Sequence, residues 1–375
     1  MAGKRVLFLI SNIGDYHAPR LLQLQEQLRR NGDQFLAVET ASTSAFYNHS
    51  QTRAPLLKRQ LSYVAIHAAG AAQVARKTAR EILRFRPHVV FVLGYTDALS
   101  MTGLTLGLAV RARVVFLSDS KADDQPRTQS SERIKSLLVR RFYGAQVAGE
   151  RHKAYFASLG LRADRIRVGY DVIDNDYFAF RANQFRHKAG LIRKLQIIPE
   201  RYVLLVSRFI ARKRIDRALR IYAASRLRAE GVQLVIIGQG PEESRLKELI
   251  RDLGIANNVT IRHNVRNASM PLFYAFAEAL MLTSEYDQWG LSVNESMVCG
   301  TPALVTQRCG CAGEIVLHGK NGFVWDGEDV PAGTEMLEQL VLDAPTHKRM
   351  SEEGVETMRH WGLRRFADTA MTFIL

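Results

Sequence analysis

Short apolar runs alternating with leucine-spaced segments, in two successive series, constrain this chain more than any other feature. The first series opens with Arg5–Ser11, an apolar run with β-branched residues. Pro19–Arg30 follows with Leu21, Leu22, Leu24 and Leu28 at helical spacing and stops at Asn31-Gly32. His88–Gly94 and Arg113–Leu117 repeat the buried-strand pattern. The series restarts at Tyr202–Ser207, continues through the basic loop Arg208–Arg214, and predicts a helix over Asp216–Arg228. A strand at Val232–Gly238 ends in Gly238-Gln239-Gly240-Pro241, and a helix then runs to Leu253. Val259–Arg262 reads as a strand, Leu272–Ala277 as helical and Ala279–Thr283 as extended. Val293–Cys299 reads as a helix closed by Gly300, and Pro302–Thr306 as the next strand. Strands alternating with helices predict a parallel sheet with helices on its faces. The fold class is therefore α/β, in two doubly wound domains.

A length of 375 residues also favours two domains, each large enough to bury its own core. The turn-rich stretch Gly169–Phe178 reads as the link. It divides an N-terminal domain, 1–172 joined by a C-terminal helix over 361–375, from a C-terminal domain over 173–360. There is no apolar run long enough to span a membrane and no export signal, since the apolar run after Arg5 meets a turn at Ser11-Asn12-Ile13-Gly14. Three cysteines, Cys299, Cys309 and Cys311, have no His/Cys cluster around them, so no metal site is expected. These features fit a reducing cytoplasm. A net charge of +15 calls for an anionic partner. The densest basic stretches, Arg76–Arg80 and Arg133–Arg141, read as amphipathic helices. They fit either a solvated face or an anionic membrane surface, which would place the protein peripherally on the inner face of a membrane.

Chemistry concentrates between Ser284 and Phe323. Asp287 and Glu295 are separated by seven residues, and Gly290-Leu291-Ser292 between them opens a helix. Unpaired amides and the positive dipole end at such a helix start attract phosphate. Glu295, further along, is placed to accept bonds from vicinal ribose hydroxyls. Asp287 sits in the preceding loop at the carboxyl edge of a sheet, where open α/β sheets bind ligands. Arg208 and Lys213 leave the end of one strand and can converge on a diphosphate, with Arg212 and Arg214 as alternatives to Lys213. Gly238 and Gly240 form a tight turn where backbone can approach a base or ribose.

From Val203 to Trp325 the chain resembles the family-4 (group 1) glycosyltransferases of the GT-B fold. The resemblance runs in order through Arg208 and Lys213, Gly238-Gln239-Gly240-Pro241, Asn258-Val259-Thr260, Leu272-Phe273-Tyr274, the Asp287/Glu295 pair, Gly300-Thr301-Pro302, Gly313-Glu314-Ile315-Val316 and Gly319–Phe323. It implies two Rossmann-like domains facing a cleft, and transfer with retention of configuration and no essential metal or other cofactor beyond the nucleoside-diphosphate sugar donor. In that pattern Arg208 and Lys213 hold the diphosphate and Glu295 the ribose. Asp287 meets the sugar hydroxyls, and backbone near Gly290, Leu291 and Ser292 meets phosphate and sugar. The chain departs from the pattern at Asp287, where the family usually carries Glu, and at Trp289, where many relatives carry Phe. It carries Ser118-Asp119-Ser120-Lys121 where many carry a His. Asp119 is therefore a candidate for holding a donor or acceptor hydroxyl, and His17 a second candidate near the acceptor.

The expected function is a retaining transfer of a sugar, UDP-linked by default, to a hydroxyl in cell-envelope polysaccharide, glycolipid or other glycoconjugate synthesis. The expected partners are the nucleotide-sugar donor, a carbohydrate, lipid-linked or small-molecule acceptor, and an anionic membrane surface. The alternatives are a nucleotide-sugar epimerase on the same fold, or a non-catalytic binding protein for nucleotide sugars or nucleic acid. Nucleic acid is disfavoured because no recognition-helix motif, zinc spacing or aromatic–basic platform is present. A dinucleotide dehydrogenase is disfavoured because no Gly-x-Gly-x-x-Gly follows the first strand.

Overall fold

A computed structural model describes residues 3–40, 56–60 and 70–375. It divides into two compact units, residues 1–174 with 362–375, and residues 175–361.

The N-terminal unit holds strands β1 (Arg5–Ile10), β2 (Gln34–Glu39), β3 (Lys58–Gln60), β4 (Val89–Leu93), β5 (Arg113–Ser118), β6 (Gly144–Val147) and β7 (Ile166–Val168). Its helices are α1 (His17–Arg30), α2 (Ala71–Phe85), α3 (Ala98–Ala109), α4 (Gln129–Val139), α5 (Glu150–Ser158) and, from the end of the chain, α14 (Leu363–Ile374). Among the described residues the sheet is parallel, in the order β3-β2-β1-β4-β5-β6-β7. Both faces of β1 are covered, which is why it reads as a continuous apolar run rather than an alternating one. Phe8 stacks on Phe91 with ring centroids 4.3 Å apart, and Phe366 and Phe373 of α14 close over this pair. The side chain of Gln27 in α1 donates to Asp368 of α14 at 2.8 Å.

The C-terminal unit holds β8 (Tyr202–Val206), β9 (Gln233–Ile237), β10 (Val259–Arg262), β11 (Ala279–Leu282), β12 (Ala303–Thr306) and β13 (Gly322–Trp325). Its helices are α6 (Asn175–Arg186), α7 (Ala189–Lys194), α8 (Ile215–Ala224), α9 (Glu243–Asp252), α10 (Met270–Phe276), α11 (Leu291–Val298), α12 (Val330–Leu342) and α13 (Ala344–Met358). The sheet is again parallel, in the order β10-β9-β8-β11-β12-β13.

The boundary between the two units, Asp174 to Asn175, falls inside the stretch Gly169–Phe178. Tyr170, Val172 and Ile173 are buried in the N-terminal unit, and α6 begins at Asn175. The turn-forming residues there also suit a helix start. The helix predicted over Asp216–Arg228 ends at Ala224, because Ser225 is extended and its hydroxyl bonds back to the Tyr222 carbonyl at 2.8 Å. A short 3-10 turn, Arg226–Arg228, follows.

Replacing Phe8 by Ala removes a fully buried ring from the centre of the N-terminal sheet. A loss of about 3–5 kcal/mol is expected, as for large-to-small core substitutions. A urea titration should show the N-terminal unit unfolding at lower denaturant, and an unchanged midpoint would contradict this packing.

Candidate active site

In the C-terminal sheet the chain winds outward from β8 to β9 and β10, then returns to the other side of β8 as β11. Connections on the two sides of this β8–β11 boundary diverge, opening a crevice at the carboxyl ends of the strands, the usual ligand position in such sheets. The register pairs Val203 with Ala279, Leu204 with Leu280 and Leu205 with Met281, so both strands end at the same level. The loop after β8 carries Arg208–Arg214, and the loop after β11 carries Ser284–Gly290.

These loops are tied together by their backbones. The Glu285 amide donates to the Arg212 carbonyl at 2.8 Å, and the Thr283 hydroxyl donates to the Arg214 carbonyl at 3.0 Å. The side chains then sort the three cations that sequence left open. Arg212 lies 5.3 Å from the centroid of the Tyr286 ring, and Arg214 pairs with Asp216 at 3.0 Å. Lys213 donates to Asp287, and the Ser284 hydroxyl lies 3.4 Å from the same carboxylate oxygen. Asp287 is only 8% exposed, and the Lys213 side chain only 11%. Two of the sequence-predicted residues thus form one shielded ion pair at the crevice. Arg208 stands half-buried at the start of the same loop.

A third loop, to which sequence analysis assigns no chemistry, buttresses this pair. After β12, the Gly310 amide donates to the Asp287 carbonyl at 3.0 Å, and the Cys311 amide to the Trp289 carbonyl at 3.1 Å. A Cβ on Gly310 would lie 1.8 Å from the Gln288 carbonyl oxygen, so glycine is required there. The thiols of Cys309 and Cys311 are buried in this packing. The run of small residues from Cys309 to Gly313 was the available signal.

Gly290 caps α11 with φ +108, and the first amides of the helix, at Leu291 and Ser292, have no carbonyl one turn earlier within the helix to bond. Glu295 lies one turn in and is 2% exposed, so it is not a solvated helix carboxylate. It accepts a hydrogen bond from the Tyr274 hydroxyl at 2.6 Å. Tyr274 thus joins the site as a positioning partner.

Gly238 and Gly240 form the turn after β9. Their φ values are +155 and +157, and added Cβ atoms would lie 1.8 Å from the Ser207 carbonyl and 2.4 Å from the Phe209 carbonyl. The close approach these glycines permit is to the chain's own loop after β8. The Phe209 amide donates to the Gln239 carbonyl at 2.9 Å, so the turn braces the segment that carries Arg208.

Asp119 and His17 belong to the N-terminal unit. Asp119 directly follows β5, and His17 begins α1. Tyr170 links them: its ring centroid lies 6.2 Å from that of His17, and Asp119 is among the charges that act on its phenol. Burial, reinforced by Asp171 and Asp119, pushes the Tyr170 phenol well above its ordinary pKa. Arg20 packs over the same ring at 5.0 Å, with an ion pair to Asp171 at 3.4 Å. The winding of this sheet reverses between β1 and β4, one strand away from Asp119. There the Ser11 hydroxyl donates to Asp97 at 2.5 Å, and Asp97 caps α3 through the Ser100 amide at 2.7 Å. Asp97 carried no distinguishing motif in the sequence.

The C-terminal unit is therefore a doubly wound domain with cations and a helix start gathered at its switch point. Residues 191–357, most of this unit, match the family model described as "Glycosyl transferases group 1". The chain is 33% identical over 168 residues to a GDP-mannose-dependent alpha-(1-6)-phosphatidylinositol monomannoside mannosyltransferase of Mycolicibacterium smegmatis, covering 43% of each. It is 26% identical over 194 residues to N-acetyl-alpha-D-glucosaminyl L-malate synthase of Bacillus anthracis, covering 52% of this chain and 49% of that protein. The matches span about half or less of these relatives. Among solved structures, Anabaena Alr3699/HepE in complex with UDP and glucose superposes with a TM-score of 0.74 over 98% of both chains, at 17% identity. A glycosyltransferase from Rickettsia africae superposes with a TM-score of 0.76 over 100% of this chain and 98% of that one, at 14% identity. The fold is thus the two-domain α/β architecture of the GT-B glycosyltransferases.

Tyr274→Phe should lower stability, because it removes a hydrogen bond from a buried carboxylate. The expected loss is about 1–3 kcal/mol. Thermal denaturation reads it, and an unchanged melting temperature would mean that Glu295 is held without Tyr274.

Proposed function

We propose that this protein is a retaining, metal-independent glycosyltransferase that moves a sugar from a nucleoside-diphosphate sugar to a hydroxyl acceptor. The observation that carries this reading is the meeting of Lys213, Asp287 and the start of α11 at the β8–β11 switch point. A lysine ammonium has three donors. One can stay on Asp287 while the others meet a phosphate. In this reading Asp287 aims Lys213 at the diphosphate as well as reaching the donor sugar, Arg208 adds the second cation, and Glu295 receives the ribose.

The chemistry then needs little covalent help from the protein. The bond from sugar C1 to the β-phosphate oxygen breaks, and the acceptor oxygen forms its bond to C1 on the same face. The acceptor proton passes to the departing phosphate oxygen. Negative charge grows on that phosphate in the transition state, where fixed cations and amides stabilise it most.

A UDP-linked donor is the first reading of the base. GDP-mannose is the second, favoured by the GDP-mannose dependence of the Mycolicibacterium smegmatis relative. The proposed acceptors are carbohydrate or lipid-linked hydroxyls in cell-envelope polysaccharide, glycolipid or other glycoconjugate synthesis. No helix among the described residues is long and apolar enough to cross a membrane. An anionic membrane surface is the proposed partner of α2 and α4. Exposed Arg133 and Arg140 flank exposed Ile134 and Leu137 along α4, a basic and apolar mixture suited to a headgroup layer. Ile134→Ser with Leu137→Ser should abolish flotation with anionic vesicles at low salt, and undiminished flotation would remove α4 from the interface.

A thermal-shift screen against uridine, guanosine, adenosine and thymidine diphosphates tests the donor site. Selective stabilisation by one of them is expected. Lys213→Ala should weaken that ligand by about 1–3 kcal/mol, the range for a lost charged hydrogen bond. No stabilisation by any of the four would overturn the reading.

A further inference from the structure

A second basic site lies in the N-terminal unit, at the sheet edge opposite the carboxyl ends of its strands. A cavity of about 750 Å³ opens where β1, β4 and β5 begin side by side. Lys4, Arg5, Arg86, His88, Arg111 and Arg113 line it, with no carboxylate side chain among the described lining residues. Like charges gathered in one cavity repel one another and favour a bound anion.

Three of these cations are fixed by the fold. The Arg5 side chain donates to the Arg86 carbonyl at 2.7 Å, and Arg113 donates to the Phe373 carbonyl at 3.1 Å. Lys4 donates to the Leu375 carbonyl at 2.9 Å. Arg86 and Arg111 differ from them. Neither side chain has a hydrogen-bond or ion-pair partner among the described residues, and both are exposed. Both also hold left-handed backbone, with φ of +49 and +60, where the chain leaves α2 and α3. Glycine or asparagine suits that position, and a longer side chain is disfavoured there. Two helix exits that need glycine geometry thus present unpartnered guanidinium groups to one cavity.

We propose that this cavity binds a phosphate- or pyrophosphate-bearing anion, with Arg86 and Arg111 as its movable clamps and Arg5 and Arg113 as its fixed base. The site is separate from the donor position proposed above, since it lies in the other unit and at the opposite sheet edge. His88 provides a local reporter. Its backbone neighbour Arg5 donates an amide to its Nδ1 at 2.9 Å, and Asp33 is the acid that acts on it. Burial together with Arg5 and Lys4 holds its pKa below the ordinary histidine value.

The test follows the His88 ring resonances, assigned with His88→Gln, during titration of the full chain with inorganic pyrophosphate. A saturable shift is expected, with the His88 pKa moving upward as the anion offsets the surrounding cations. The double variant Arg86→Gly, Arg111→Gly should weaken this binding by about tenfold or more through loss of two charge-assisted contacts. Its melting temperature should hold or rise, because glycine fits both backbone positions. Absence of a saturable shift in the parent, or an unchanged curve in the double variant, would overturn the proposal. Flotation with phosphatidylglycerol vesicles separates the sources: loss in the double variant assigns a lipid headgroup, and retention assigns a soluble phosphate compound.

Discussion

The pairing of β8 with β11 governs the chemistry of the C-terminal unit. These strands lie side by side only because the chain reverses its direction of winding after β10. Their matched ends bring a loop of four cations, Arg208, Arg212, Lys213 and Arg214, against a loop that carries Asp287 and opens α11. Parallel strands with both faces buried have little freedom of register, since a one-residue slip would turn each side chain to the opposite face. The Lys213–Asp287 pair is therefore set by core packing, and both partners are largely shielded from water. A shielded pair of this kind is a weak source of net stability, because both charges have been taken out of water. In the proposed function its use lies in fixing an ammonium where a diphosphate would sit, ahead of ligand arrival.

Much of the layout was legible in the sequence. Buried parallel strands leave continuous apolar runs, and those at Arg5–Ser11, Tyr202–Ser207 and Val232–Gly238 stand close to the observed β1, β8 and β9. The order of cations, glycine turn, acids and helix start pointed to a phosphate ligand at the carboxyl edge of the second sheet. The parts that stayed hidden depend on contacts distant in sequence. The missing Cβ atoms of Gly238 and Gly240 also accommodate backbone from residues 207–209, a requirement that the turn itself does not show. The basic loop by itself left Arg212 and Arg214 as alternatives to Lys213, because the choice depends on where Tyr286, Asp216 and Asp287 lie. Tyr274 and Gly310 support the site from segments that bear no chemical signature of their own. The boundary between the units falls within the stretch read as the link, and the burial of Tyr170, Val172 and Ile173 there depends on packing within the N-terminal unit that local composition does not reveal.

The two sheets distribute positive charge differently. In the C-terminal unit the cations of the crevice are partnered, with Lys213 on Asp287, Arg214 on Asp216 and Arg212 on the Tyr286 ring. In the N-terminal unit, Arg86 and Arg111 stand unpartnered among the described residues, at the edge where strands begin. A net charge of +15 is thus made up partly of built pairs and partly of open positive surface. Open surface of that kind attracts anions over distances set by ionic strength, whereas the shielded pair is much less sensitive to salt.

A crystal structure of the protein with uridine or guanosine diphosphate tests the central claim most directly. The diphosphate should lie within hydrogen-bond reach of Lys213 Nζ and the Leu291 and Ser292 amides, with a ribose hydroxyl on Glu295. A nucleotide bound elsewhere, or one whose phosphates leave the Lys213–Asp287 pair untouched, would contradict it.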